Sequence, residues 1–255
     1  MTEGVPADGL RRSLALFRVF RLEQTQPDVF YSALAADSVC QLARYTDLSG
    51  RVLVDVGGGP GYFADAFRAA GATYLSLDSD VGEMSLHGRR PDVGTSVIGS
   101  GVRLPFASQS VDVCYSSNVL EHVALPWRMA DEMVRVTRPG GVVYLSYTNW
   151  LSPHGGHETG AWHYLGGGYA RDRYTRRHGR APKNSFGSTL FPVTVGEAFR
   201  WARGQPDAEL IEVVPRYHPR WARHIVRVPA LREIAAWNVV VVMRRRQPSQ
   251  PSAGL

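Results

Sequence analysis

Apolar and polar positions along the chain follow two different periods. Between residues 10 and 42 the apolar residues recur at helical spacing: Leu10, Leu14, Phe17 and Phe20, then Phe30, Leu34, Val39 and Leu42. Pro27 separates two helices, and Asp28 stands near the start of the second. From residue 52 onward, short apolar runs alternate with helix-compatible segments. Strands are predicted over 52–56, 74–77, 96–98, 111–116, 142–147, 210–214 and 236–243. Helices are predicted over 62–70, 82–86, 127–137, 168–178 and 194–203. Alternation of this kind predicts an α/β fold with a doubly wound, mostly parallel, seven-stranded sheet.

The alternation breaks at Asn149, where the chain becomes rich in Gly, His, Arg and aromatic residues. Residues 149–193 read as a cap inserted after the fifth strand, because the segment carries no apolar core of its own. The expected organisation is one domain over 1–246, with N-terminal helices over 1–48. A Pro/Ser/Gly-rich tail over 247–255 is expected to be disordered.

The junction of the first strand and helix carries the strongest chemical signal. Asp55 lies within the strand, and Gly57, Gly59 and Gly61 follow at alternate positions. Glycine is required where φ must be positive or where backbone lies close against a ligand. A dinucleotide fingerprint would need its third glycine at position 62, which is Tyr62. The Asp-x-Gly-x-Gly-x-Gly pattern instead resembles the first motif of class I S-adenosylmethionine-dependent methyltransferases. Asp78 closes the second strand about 20 residues beyond Gly57, where a carboxylate can accept from two ribose hydroxyls.

Three later segments resemble the same family, in its ubiquinone/menaquinone-like type 11 group. Gly99-Ser100-Gly101-Val102-Arg103-Leu104-Pro105-Phe106 is similar to a segment whose aspartate faces the adenine amine. Ser100 stands in that place here, a neutral and weaker acceptor. The segments 111–122 and 138–144 resemble the family's fourth strand end and its turn into the fifth, with Pro139-Gly140-Gly141 read as a helix stop and turn. The resemblance covers roughly residues 52–147. It implies a Rossmann-like methyltransferase fold, with S-adenosylmethionine as cofactor and S-adenosylhomocysteine as product. It also implies a cofactor set of Asp55, Gly57, Gly59, Gly61, Asp78, Ser79, Ser100, Gly101 and Ser117, with Tyr31 covering the cofactor. The N-terminal helices and the insertion are implied to form the substrate pocket.

The implied chemistry is attack of an acceptor on the sulfonium methyl. A hydroxyl acceptor gains most from a base with pKa near neutrality, which points to histidine. His154 and His157 open the insertion, on the side of the sheet where such folds bind ligands. His122 is the third candidate. Glu121-His122 is similar to the end of a Glu-x-x-Glu-His segment that holds a divalent cation in some methyltransferases. Asn118 replaces its first glutamate, so the full motif is absent; a structural role is expected for the pair, and the metal is left open. Aromatic residues Tyr144, Tyr147, Trp150, Trp162, Tyr164 and Tyr169 crowd this region, either stacking on an acceptor or packing the insertion onto the sheet.

The expected reaction is methylation of a small-molecule hydroxyl, such as a sugar, glycolipid or secondary metabolite. Carbon methylation of a quinone-like or lipid acceptor, and a non-catalytic cofactor-binding scaffold, are the alternatives. Composition adjusts this picture only slightly. The 255 residues carry a formal charge of +6, mostly through arginines grouped at 171–180, 216–227 and 244–246. That balance permits an anionic partner, but with no nucleic-acid-binding motif beside it a solvated basic surface is expected, and no nucleic acid. No apolar run is long enough to span a bilayer, and no leader-like segment is seen, so a cytoplasmic location is expected. Cys40 and Cys114 read as buried free thiols. The pattern does not reach the oligomeric state.

Overall fold

A computed structural model describes residues 9–20, 22, 25–84 and 94–247. Two N-terminal helices, α1 (Leu10–Phe20) and α2 (Pro27–Leu42), precede the sheet. Strands β1 (Val52–Val56), β2 (Thr73–Asp78), β3 (Ser96–Ile98), β4 (Val111–Ser117), β5 (Thr137–Thr148), β6 (Ala208–Pro215) and β7 (Asn238–Arg245) follow in chain order. They join one sheet in the order β3-β2-β1-β4-β5-β7-β6. The five strands from β1 to β5 run parallel, and β7 runs antiparallel to both β5 and β6. The expected seven-stranded, mostly parallel sheet is therefore the one that forms.

The interleaved helices are α3 (Ala64–Ala69), α4 (Val81–Met84), α5 (Pro126–Val136), α6 (Gly167–His178), α7 (Val195–Gly204) and α8 (Pro229–Ala235). Both faces of the sheet are covered, which is why its strands read as near-continuous apolar runs. Val54, Cys114, Val143, Leu145 and Val241 face one core with Met129 and Met133 of α5. Leu53, Val113, Tyr115, Tyr144 and Val242 face the other, with Phe30 and Leu34 of α2 and Phe67 of α3. Among the described residues, no helix is long and apolar enough to cross a membrane.

Several expectations change. The helix expected over 62–70 begins only at Ala64, because residues 60–63 form a turn. Of the helix expected over 82–86, Ser85 and Leu86 lie outside the described residues, as do 1–8 and 248–255, most of the tail expected to be disordered. Pro139-Gly140-Gly141 does not precede the fifth strand but lies inside β5, where the register against β4 shifts between Val111 and Val113. A Cβ on Gly141 would lie 2.6 Å from the Asp112 carbonyl, so the irregularity keeps the strands paired only with glycine there. Cys114 is fully buried, but Cys40 is exposed on the outer side of α2, opposite Phe30, Leu34 and Leu42.

The apolar stripe that marks α1 as a helix is not the face that packs. Leu10, Leu14 and Phe17 are exposed, and Arg12, Ser13 and Leu16 are buried instead. Arg12 donates to both oxygens of buried Asp37 on α2 at 2.5 and 2.7 Å, and to the Arg216 carbonyl at 3.0 Å. Arg216, expected in a surface group, is itself 1% exposed. Its guanidinium lies under the sheet and donates to the hydroxyls of Ser38, Ser117 and Ser146.

Candidate active site

The glycine loop leaves β1 in left-handed backbone: φ is 80° at Gly57, 49° at Gly59 and 76° at Gly61. Two physical demands operate along it. A Cβ on Gly57 would lie 2.4 Å from the Val119 side chain, so close approach as well as φ excludes other residues there. At Gly59 nothing lies within 4 Å of a Cβ, so the demand is conformational and the surrounding space is open. Asp78, at the end of β2, accepts from the Gly59 N–H through Oδ2 at 3.0 Å and from the Asp80 N–H through Oδ1 at 3.0 Å. It therefore shapes the loop, and each oxygen keeps a lone pair for a ligand hydroxyl.

Asp55 lies beneath the loop and is 2% exposed. It accepts from the Tyr74 hydroxyl at 2.6 Å. Burial pushes its pKa up to about 7, with a further push from the Asp78 carboxylate, while the Tyr74 hydrogen bond pulls the other way. A Cβ on Gly58 would meet Asp55 Oδ2 at 3.1 Å, which places this carboxyl against the underside of the loop rather than in open space. Gly99 hydrogen-bonds the Asp78 carbonyl, bringing the Ser100–Gly101 turn to the same end of the sheet. Ser79 and Ser100 are exposed there, and Gly101 packs against Met129 and Val56. Tyr31 of α2 stacks on Tyr62, next to Gly61, with ring centroids 4.6 Å apart and planes 15° from parallel. Ser117 is engaged by Arg216 at 2.7 Å.

These residues fit an adenosyl cofactor. Gly59 and Gly61 combine positive φ with open space, a carboxylate ends the neighbouring strand, and a tyrosine pair borders the loop. The family model described as a methyltransferase domain matches residues 54–145. Much of the chain is also similar to proteins named uncharacterized methyltransferases. One from Mycolicibacterium vanbaalenii is 53% identical over 92% of this chain and 94% of its own length. Another from Mycobacterium marinum is 52% identical over 93% of this chain and 95% of its own. The chain belongs to the class I S-adenosylmethionine-dependent methyltransferases, in the type 11 group. The fold agrees with this membership. An S-adenosylmethionine-dependent methyltransferase from Mesorhizobium loti matches at a TM-score of 0.57 and 20% identity, over 84% of this chain and all of that one. The magnesium protoporphyrin IX methyltransferase of Synechocystis, solved with bound S-adenosylmethionine, matches at 0.51 and 14%, over 86% of this chain and 83% of that one.

Beyond β4 this methyltransferase gathers a second group of side chains. Asn118 turns the chain at φ 57°, and a 3₁₀ turn over Leu120–His122 presents Glu121 and His122. Val119, the residue that packs on Gly57, is two positions before Glu121, so the loop and this turn are neighbours. Glu121 is 1% exposed. Its Oε1 accepts from the Thr148 N–H at 2.8 Å, and its Oε2 has no hydrogen-bond partner. His122 Nδ1 stands 2.7 Å from the Thr189 carbonyl, which can only accept, so Nδ1 carries a proton and the neutral ring would present its lone pair at Nε2. His157 arrives from the insertion at φ 47° and stacks obliquely on His122, ring centroids 5.3 Å apart. Its Nε2 is buried and unpartnered.

The three candidate histidines are thus not equivalent. Burial first, and then neighbouring histidines, lower the His157 pKa to about 4, against an opposing pull from Glu121. His154 is not in the group: its ring packs between Phe20 and Trp237, at 5.2 and 4.9 Å, and desolvation lowers its pKa. Among the crowded aromatics, Tyr144 and Tyr147 are fully buried in the core and belong to packing. Trp162, Tyr164 and Tyr169 are partly exposed on the insertion, with the Arg173 guanidinium 3.8 Å over the Trp162 ring. Sequence reasoning missed Arg216 as a buried group. Its only signal was its place just beyond the sixth strand.

Proposed function

We propose that the protein transfers a methyl group from S-adenosylmethionine to a hydroxyl of a small organic acceptor held between the glycine loop and the insertion. The observation that carries this reading is the convergence of Glu121, His122 and His157 beside the loop, at the ends of β4 and β5. Bound cofactor supplies an electrophilic methyl on a sulfonium. The loop glycines and Asp78 hold the cofactor, Ser79, Ser100, Gly101 and Ser117 border it, and Tyr31 with Tyr62 covers the loop.

His122 is the base in this reading. Its Nδ1 is fixed as a donor by Thr189, so Nε2 is free to accept the hydroxyl proton. His157 is too weakly basic for that role at neutral pH, and His154 is engaged in aromatic packing. The insertion over 149–193 then serves as the acceptor's lid within the single domain over 1–246, acting in the cytoplasm with no nucleic-acid partner.

Incubation with methyl-labelled cofactor and a small-molecule extract, followed by mass spectrometry of the labelled fraction, tests the reading. An oxygen-linked methyl product is expected. Loss of about a hundredfold or more in kcat is expected for His122→Ala, and little change for His154→Ala. A carbon-bound methyl would favour the quinone-like or lipid alternative, and cofactor binding without any transfer would favour a scaffold.

A further inference from the structure

We infer that Glu121, His122 and His157 form a binding site for a divalent transition-metal ion, with open positions facing the acceptor. One ligand atom from each residue lies within 4.8 Å of the other two. Two of the three groups carry buried, unpartnered polar atoms: Glu121 Oε2 and His157 Nε2. The Glu121 carboxylate is 1% exposed and has no ion-pair partner among the described residues. An unpaired carboxylate buried to that extent is unfavourable unless a cation compensates it.

The surroundings are arranged as they are around ligating side chains. The Thr189 carbonyl on His122 Nδ1 leaves Nε2 as the ligand atom and fixes the ring. The Thr148 N–H holds Glu121 Oε1, leaving Oε2 to coordinate. Asn184 stands 3.5 Å from His157 Nδ1, too far to lock that ring's tautomer, and its amide donates to Glu158 at 3.0 Å. Ligand atoms about 2.1 Å from a metal stand roughly 3.4 Å apart in a tetrahedron, so binding requires the three groups to close by up to about 1.4 Å. His157, whose ring no short hydrogen bond holds, would supply that closure by side-chain rotation.

Two imidazoles and one carboxylate select the metal class. Magnesium and calcium prefer oxygen ligands, whereas zinc, cobalt, manganese and iron(II) accept this set and keep further positions open. The sequence motif with two glutamates is absent because Asn118 fills the first position. Its amide oxygen accepts from Asn238 at 2.7 Å and is not part of the group. His157, from the insertion, takes the third place. The inference rests on the proposed transfer to a hydroxyl and replaces one role in it: a cation here would bind the acceptor hydroxyl and acidify it, its proton passing to solvent, and His122, with Nε2 taken up as a ligand, would no longer be the proton acceptor.

The full-length protein, stripped with chelator and dialysed, is titrated with Co²⁺ by visible absorption and with Zn²⁺ by calorimetry. Saturable binding of one ion per chain is expected, weakened at least about tenfold in Glu121→Gln and in His157→Ala and unchanged in His154→Ala. Retained cofactor binding by the variants shows that they are folded. No saturable binding, or binding that Glu121→Gln and His157→Ala leave intact, overturns the inference. Transfer assays separate it from the proposed function. Full turnover by the stripped protein with loss in His122→Ala sinks the cation and keeps the histidine base. Site-dependent metal binding without any oxygen-linked product keeps the cation and sinks the proposed reaction.

Discussion

Asp55 makes the stability of the unliganded protein depend on pH in an unusual direction. Its carboxyl is fully buried beneath the glycine loop, and its pKa rises from 3.8 to about 7, chiefly through desolvation. Below pH 4 the group is protonated in the folded and unfolded chains alike and contributes nothing to the difference. Between pH 4 and 7 the unfolded chain releases the proton while the folded one keeps it, so stability falls as pH rises. The shift of about three units, at about 1.4 kcal/mol each, amounts to roughly 4 kcal/mol lost by pH 8. Asp55→Asn removes the titration and can still accept the Tyr74 hydrogen bond. Urea unfolding of both proteins at intervals from pH 5 to 8.5 gives the difference curve, in which other titrating groups cancel. The variant is expected to gain on the native protein by several kcal/mol across that range, with the steepest change below pH 7. A difference that stays flat would refute the reading of Asp55 as a buried carboxyl that holds its proton.

Three further outcomes follow from other parts of the molecule. Gly57→Ala places a Cβ 2.4 Å from Val119 at φ 80°, so loss of cofactor binding by calorimetry and a lowered Tm are expected together. Arg12→Ala strands the buried Asp37 carboxylate and is expected to cost about 3–5 kcal/mol in chemical denaturation, with Arg12→Met/Asp37→Asn recovering much of it. Thr194 and Glu197 form a reciprocal capping box at the start of α7, so Thr194→Ala is expected to cost about 1 kcal/mol in the same assay.

The sheet was legible because its central strands β1, β4 and β5 are buried on both faces and announce themselves as apolar runs closed by glycine or a polar residue. The glycine loop and Asp78 were legible for a related reason. Their backbone demands are local, so the residue types that satisfy them sit side by side in the chain. The group beyond β4 was only half legible. Glu121 and His122 are adjacent, but His157 reaches them across β5 and the start of the insertion. The ranking of the histidines depends on burial and on partners such as Thr189, Phe20 and Trp237, which no spacing encodes.

The sequence by itself determined most of the elements, the mostly parallel character of the sheet and the place of the glycine loop, since these follow from periodicity and local backbone chemistry; it did not mark α8. Tertiary structure alone decided which face of α1 packs. Its apolar stripe is turned outward because Arg12 must reach Asp37, 25 residues away, and the Arg216 carbonyl, 204 residues away. A buried carboxylate without its cation costs more than leaving a few leucine side chains in water. Long-range charge pairing of that kind leaves no periodic trace in the chain, and the same holds for the carboxylate and histidines gathered beside the glycine loop.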